Sequence, residues 1–161
     1  MKTGCISFIV YILKRILKLL TKNTSPDIYR IIQNNETTIK DVKEISKING
    51  GYTNIKSFIP VISMGRLHGH SSTIRLFIEH NPTMIFGIAT THINEYDKHY
   101  KDLKNAYHIN KNNIISNRKS FIFDYIIIDS FLYFRNECIL DILYSMKGDR
   151  YNSAKIVGVG C

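Results

Sequence analysis

Residues 58–79 read FIPVISMGRLHGHSSTIRLFIE and carry the pattern from which the fold class is predicted. An apolar run, Phe58–Ser63, leads through a polar segment with glycines, 64–73, into an apolar helical pattern, Ile74–Glu79. Strand, turn and helix in this order predict an α/β unit. Three further strand-sized runs rich in Ile, Val or Phe are Met84–Ala89, Phe121–Ile128 and Lys155–Val159. Their continuous apolar character indicates burial on both faces, so we expect a three-layer α/β fold with a mainly parallel sheet.

The turn in this stretch has the layout of a phosphate-binding loop. Backbone N–H groups at a helix start, together with the helix dipole, favour a bound phosphate. The usual pattern is Gly-x-x-x-x-Gly-Lys-Ser/Thr. Here Gly69 is the second glycine and Ser71 the magnesium-binding hydroxyl, whereas Met64 replaces the first glycine and His70 the lysine. An ordinary strand-to-helix turn is the alternative interpretation.

A second element supports the phosphate-loop interpretation. The apolar strand Ile126–Asp129 (IIID) ends in a carboxylate, and such an acid holds a magnesium-bound water in nucleotide-binding proteins. The alternative is that Asp129 caps the following helix. The predicted strand Met84–Ala89 lies between the loop and Asp129 in the chain, and the predicted strand Lys155–Val159 follows Asp129.

Residues 57–161 resemble a minimal, divergent P-loop NTPase core of the RecA-like (ASCE) class, as found in helicases and phage terminase large subunits. The segment GRLHGHSS, 65–72, is similar to the terminase pattern Arg-x-x-Gly-Lys-Ser/Thr. The resemblance implies a strand order of 1-4-3-2 for the four predicted strands, with ATP or another nucleoside triphosphate and Mg²⁺ as ligands. It implies that Ser71 and Asp129 serve the metal and converge within one metal-bound water. The residues that it assigns to the nucleotide are Arg66, His68, Gly69, His70, Ser71 and Ser72.

Two departures from that family's pattern predict slow or absent hydrolysis. Asp129 and His70 are the candidate catalytic residues. His70 occupies the position of the loop lysine, but its imidazole is shorter than a lysine side chain and mostly neutral at pH 7. The family also places a water-activating glutamate after the aspartate, where this chain has Ser130. Glu137 on the next predicted helix is a weak substitute, since a solvated or capping role suits it better.

Composition indicates an intracellular protein with an anionic partner. The 161 residues carry a formal net charge of +9, and three widely spaced cysteines do not indicate a disulfide framework. We therefore predict a nucleotide-binding protein that serves a viral or phage nucleic-acid process. Tyr96, Tyr100, Tyr107 and Tyr125 offer a base-stacking groove beside Lys98, Lys101 and Lys104, although their spacing favours core packing.

Residues 1–56 are predicted to form a helical extension. Residues 5–22 form a basic amphipathic helix whose apolar run, Ile6–Leu13, is too short to span a bilayer. It packs on its own domain, docks on a partner, or lies on a membrane surface. The alternative function follows from it: a non-enzymatic interaction protein that keeps the fold as a scaffold and docks through this helix. Thr37 or Thr38 is expected to cap the later helix Ile39–Ile48.

Overall fold

A computed structural model describes residues 26–48, 55–62, 69–110 and 122–160. The predicted helix over residues 5–22 and most of the predicted loop His108–Ser120 lie outside these ranges. The helices are α1 (Pro26–Gln33), α2 (Ile39–Ile48), α3 (His70–Glu79), α4 (Ile93–His99) and α5 (Asn136–Ser145). The strands are β1 (Val61–Ile62), β2 (Phe86–Ala89), β3 (Ala106–His108), β4 (Tyr125–Asp129) and β5 (Lys155–Val159). Short 3-10 turns are Ile55–Phe58, Phe131–Tyr133 and Asp149–Tyr151.

The strands form one sheet in the order β1-β5-β4-β2-β3, and every pairing between them is parallel. The predicted α/β class with a parallel sheet is therefore confirmed. The sheet contains one strand more than the four predicted, because β3 is added beside β2 at one edge. β5 lies between β1 and β4, so the strand that comes last in the chain is internal to the sheet.

Helices cover both faces of the sheet. Along β4, Ile126 and Ile128 belong to one buried cluster and Tyr125 and Ile127 to the other, as the alternation of side chains in a strand requires. The first cluster includes residues of α2 and α5, and the second includes residues of α1, α3 and α4. All five residues of β4 are buried, which explains why the strand is continuously apolar.

The first strand begins later than the predicted run Phe58–Ser63. Phe58 ends a 3-10 turn, and the described strand residues are Val61 and Ile62, which pair with Gly158 and Val159. Pro60 has no N–H to donate to a ladder, although its carbonyl still accepts a 2.9 Å hydrogen bond from Gly158 N. The strand therefore begins only after the proline.

The segment between α1 and α2 pairs with the amino-terminal part of β5. Ile156 N donates to Thr37 O at 2.9 Å, and Thr38 makes an isolated antiparallel bridge with Lys155. The Asn35 amide donates to Ile156 O at 3.0 Å. Residues 26–48 of the predicted extension thus pack on the same sheet as the rest of the chain. In the ranges that the structure describes, no helix is long and apolar enough to cross a bilayer.

Candidate nucleotide site at the carboxyl edge of the sheet

The candidate site lies where the parallel strands end. Asp129 is the last residue of β4, and Ser71 lies in the first turn of α3, the helix that follows β1 in the chain. In open parallel sheets, ligands bind outside the carboxyl ends of the strands. The helix begins at His70, four residues before the predicted apolar run Ile74–Glu79, so Ser71 and Ser72 belong to its first turn.

Two side chains meet the carboxylate of Asp129, which is 4% exposed. Ser71 Oγ donates a hydrogen bond to Asp129 Oδ2 at 2.8 Å. Tyr100 Oη donates to the same oxygen at 2.6 Å. The structure thus brings together Ser71 and Asp129, the two residues that sequence assigned to the metal. It adds Tyr100, which sequence reasoning did not place in the site.

Tyr100 is a hydrogen-bond donor over the whole neutral pH range. Its side chain is fully buried. Burial, followed by the charge of Asp129 and their hydrogen bond, raises the pKa of Tyr100 well above its usual value. The phenol therefore stays protonated and keeps its hydrogen on the side of the carboxylate.

The start of α3 has the features of an anion site. Gly69 precedes the helix in the left-handed conformation, with φ 65° and ψ 40°, which glycine adopts without strain. Among the described residues, no side chain caps this helix start. Nε2 of the half-buried His70 is itself buried and has no hydrogen-bond partner among the described residues. An unsatisfied buried nitrogen of this kind costs about 1–3 kcal/mol unless another group supplies the bond.

The chain turns sharply directly after Asp129. Ser130 has φ 60° and ψ 40°, the left-handed conformation that a residue with a Cβ rarely adopts. Gly160, at the carboxyl end of β5, lies against the backbone of Ser130. Backbone strain of this type is concentrated at functional sites, and here it follows the candidate catalytic carboxylate.

Further polar groups line the same edge of the sheet. Thr90 follows β2, and its hydroxyl lies 3.2 Å from His108 Nε2 at the end of β3. Burial lowers the pKa of His108, which favours its neutral form. A cavity of about 430 Å³ opens nearby, and its lining residues are Thr91, His92, Tyr133, Phe134, Arg135 and Cys138. Sequence reasoning missed this opening, because no motif joins the loops that follow β2 and β4.

Not all of the residues predicted for the nucleotide and the metal can be described. The described ranges include Gly69, His70, Ser71, Ser72 and Asp129, whereas Arg66 and His68 lie outside them. Glu137 is exposed in the first turn of α5, which agrees with a solvated role.

The tyrosines do not form a base-stacking groove. Tyr96, Tyr100 and Tyr125 are buried, and Tyr107 is half-buried, so the core interpretation of their spacing is correct for the three buried rings. Stacking on a base requires an exposed ring face.

No group of three or more His, Cys, Asp or Glu side chains in the described ranges is arranged to hold a metal ion by itself. Ser71 and Asp129 are two ligand-type residues, and magnesium in nucleotide sites takes its remaining ligands from phosphates and water.

A scan of protein-family models, a search of curated proteins and a search of solved structures each found no match.

Proposed function

We propose that the chain binds a nucleoside triphosphate with Mg²⁺ at the start of α3, hydrolyses it slowly or not at all, and serves a viral or phage nucleic-acid process. The observation that carries the proposal is the 2.8 Å hydrogen bond between Ser71 and Asp129. It joins a hydroxyl in the first turn of a helix to a carboxylate at the end of a central parallel strand. Sequence motifs selected these two residues separately, although they lie far apart in the chain.

The chemistry of the pair suits magnesium. Mg²⁺ prefers hard oxygen ligands and usually keeps several waters while it binds phosphates and one or two protein groups. The Ser71 hydroxyl donates its hydrogen to Asp129, which leaves the oxygen lone pairs for a cation. Asp129 supplies the negative charge that offsets the cation. When bound, the metal would neutralise charge on the phosphates, and these two residues would hold it.

The helix start suits the phosphates. Gly69 brings the backbone close without a side chain, and the N–H groups of the first helical turn point toward an anion at that end. The buried and unpartnered Nε2 of His70 would gain a hydrogen bond from a phosphate oxygen. An imidazole supplies at most one positive charge, so His70 partly replaces the lysine of a standard loop.

The strand arrangement also supports a P-loop identity. β5 separates β1 from β4, and β2 follows on the other side of β4. These are the adjacencies that the resemblance implies for the strands carrying the loop, the aspartate and the two remaining runs. The edge strand β3 lies outside that pattern.

Slow hydrolysis follows because none of the described residues is placed as a base at the site. Asp129 Oδ2 already accepts hydrogen bonds from Ser71 and Tyr100, and the next residue, Ser130, has no carboxylate. A general base contributes a factor of about 10²–10⁴ to a rate. We therefore expect binding to persist with turnover far below that of a motor ATPase.

The test is the affinity of the full chain for ATP with and without Mg²⁺, measured by titration calorimetry, with ATP hydrolysis assayed alongside. Asp129→Asn removes the charge that holds the cation, so we expect it to lower the Mg²⁺-dependent part of the affinity by about 10- to 100-fold. Asp124→Asn is the matched control, because Asp124 immediately precedes the same strand at its opposite end and accepts a hydrogen bond from Ile85 N at 2.7 Å. We expect His70→Lys to tighten ATP binding.

Equal effects of Asp129→Asn and Asp124→Asn would contradict the site. A parent chain that binds no ATP in the presence of Mg²⁺ would reject the function and favour the interaction role that the predicted helix over residues 5–22 suggests. Rapid turnover by the parent would contradict the predicted loss of catalysis.

A further inference from the structure

We infer that Tyr100 is a positioning residue of this site, whose hydroxyl holds one oxygen of the Asp129 carboxylate so that the other oxygen faces the metal and its water. This inference rests on the proposed function. No sequence motif points to Tyr100, and it comes from a different chain segment than either the loop or the aspartate.

The two oxygens of Asp129 have different surroundings. Oδ2 accepts both hydrogen bonds, from Tyr100 at 2.6 Å and from Ser71 at 2.8 Å. Within the described residues, Oδ1 has no hydrogen-bond donor. Two donors on a single oxygen fix the rotation of the carboxylate, because any other rotation breaks at least one bond. The remaining oxygen is then presented in one direction.

The hydroxyl of Tyr100 has a different kind of hydrogen-bond acceptor from that of a neighbouring buried tyrosine. Tyr96, in the helix α4 that ends directly before Tyr100, shows the simple solution: its hydroxyl donates to the backbone carbonyl of Ala106 at 2.8 Å. Tyr100 instead reaches the carboxylate of a residue in the candidate site. A hydrogen bond to a charged acceptor is about twice as strong as one between neutral groups.

The position of Tyr100 is itself held by α3, the helix that carries Ser71. Arg75 Nη1 donates to His99 O at 2.9 Å, directly before Tyr100. Nη1 and Nη2 of Arg75 also donate to the two oxygens of Asp102, at 2.7 Å and 2.6 Å. These bonds lower the pKa of Asp102 to about 2, so the pair is ionised at neutral pH. Arg75 thus fixes the chain on both sides of Tyr100 to the helix of Ser71.

The experiment compares Tyr100→Phe with Tyr96→Phe in the full chain. Both variants keep the ring and lose one buried hydroxyl hydrogen bond, so general losses of packing and stability are matched. The readout is the ratio of ATP affinity with Mg²⁺ to that with EDTA, measured by titration calorimetry, together with the thermal unfolding temperature. We expect Tyr100→Phe to reduce the ratio by roughly tenfold, as is typical when an outer partner of a metal site is removed. Tyr96→Phe should leave it within about twofold of the parent value, since Tyr96 has no bond to the site.

Equal ratios for the two variants would overturn the positioning role and leave the nucleotide site itself intact. A parent whose affinity does not depend on Mg²⁺ would overturn both the site and this inference. The two failures are therefore distinguishable within one set of titrations.

A second pair of variants covers the case in which Tyr100→Phe does not fold. Asp102→Asn weakens the clamp on the chain beside Tyr100 from an exposed position. Glu79→Gln is its control, because Glu79 accepts a 2.9 Å bond from Nε of the same arginine but lies on the helix of Arg75. We expect Asp102→Asn to lower the Mg²⁺-dependent ratio and Glu79→Gln to leave it unchanged. No difference between these two would contradict the inference.

Discussion

At the scale of single residues, the tightest packing at the site joins two backbones. Ser130 and Gly160 both have positive φ, at 60° and 130°. A Cβ built on Gly160 would lie 2.9 Å from Ser130 Cα and 3.1 Å from Ser130 N, both of them backbone atoms that cannot rotate away. Only glycine therefore allows β5 to end beside the turn that follows Asp129.

We predict that Gly160→Ala destabilises the fold more than Gly148→Ala. Gly148 also has a positive φ, 92°, but a Cβ there meets no atom within 4 Å. Both variants carry the backbone cost of about 1–3 kcal/mol, and Gly160→Ala adds an overpacking cost of about 1–3 kcal/mol. Urea unfolding of both variants measures the difference, and equal losses would show that the contact with Ser130 is easily relieved.

Sequence revealed some residues of the site and not others. Ser71 and Asp129 stand in recognisable local patterns, a glycine before a helix and an acid after an apolar strand. Tyr100 has no such pattern, because its hydroxyl joins the site only through the packing of α4 against α3 and β4. Its full burial agrees with the helical spacing of the tyrosines, but that spacing does not indicate which hydroxyl finds which partner.

At the scale of elements, α2 begins with a reciprocal cap. Asp41 N donates to Thr38 Oγ1 at 3.2 Å, and Thr38 N donates to Asp41 Oδ2 at 2.8 Å. The Thr38 hydroxyl also donates to Asp41 Oδ2 at 2.7 Å. The expectation that Thr37 or Thr38 caps this helix is thus confirmed for Thr38. Hydrogen bonds from the Thr38 side chain and backbone lower the pKa of Asp41.

We predict that Thr38→Ala lowers the free energy of unfolding by about 1 kcal/mol at pH 7. The effect should shrink in acid. A carboxyl whose folded-state pKa lies below its unfolded value adds stability above the unfolded value, and this stability is lost as the pH falls through the folded-state pKa. Urea unfolding at pH 7 and near pH 3 tests this, with Thr37→Ala as the neighbouring control. A loss that is independent of pH would contradict the role of Asp41.

Sequence predicted the long elements better than the short ones. β4, β5 and α2 carry apolar patterns that burial on the sheet imposes, and the structure has each within a few residues of its predicted bounds. β3, Ala106–His108, was missed because an edge strand of three residues needs no apolar run. The start of α3 was placed too late, because Ser71, Ser72 and Thr73 are polar and the helical pattern becomes apolar only at Ile74.

At the scale of the whole molecule, one sheet contributes to two hydrophobic cores, and different cavities lie at the two ends of its strands. The candidate site lies at the carboxyl ends of the strands, with the cavity of about 430 Å³. A cavity of about 640 Å³ lies at the opposite end, beside the segment between α1 and α2 that pairs with β5, and Arg30, Asn35 and Pro60 are among its lining residues. Residues of β4 and β5 contribute to both cores, so each core depends on the same two strands.

This sharing predicts that the described chain unfolds in one cooperative transition. Ile78 in α3 belongs to one core and Ile139 in α5 to the other, and both are fully buried. Replacing either by valine removes one methylene and should lower the free energy of unfolding by about 0.5–1.5 kcal/mol. The chain has ten tyrosines and no tryptophan, so tyrosine fluorescence and far-ultraviolet circular dichroism are suitable probes. With a single transition, both probes give the same urea midpoint in the parent and shift together in each variant. If Ile139→Val moved the circular dichroism midpoint and left the fluorescence midpoint in place, the two faces would unfold separately, and β4 and β5 would not couple them.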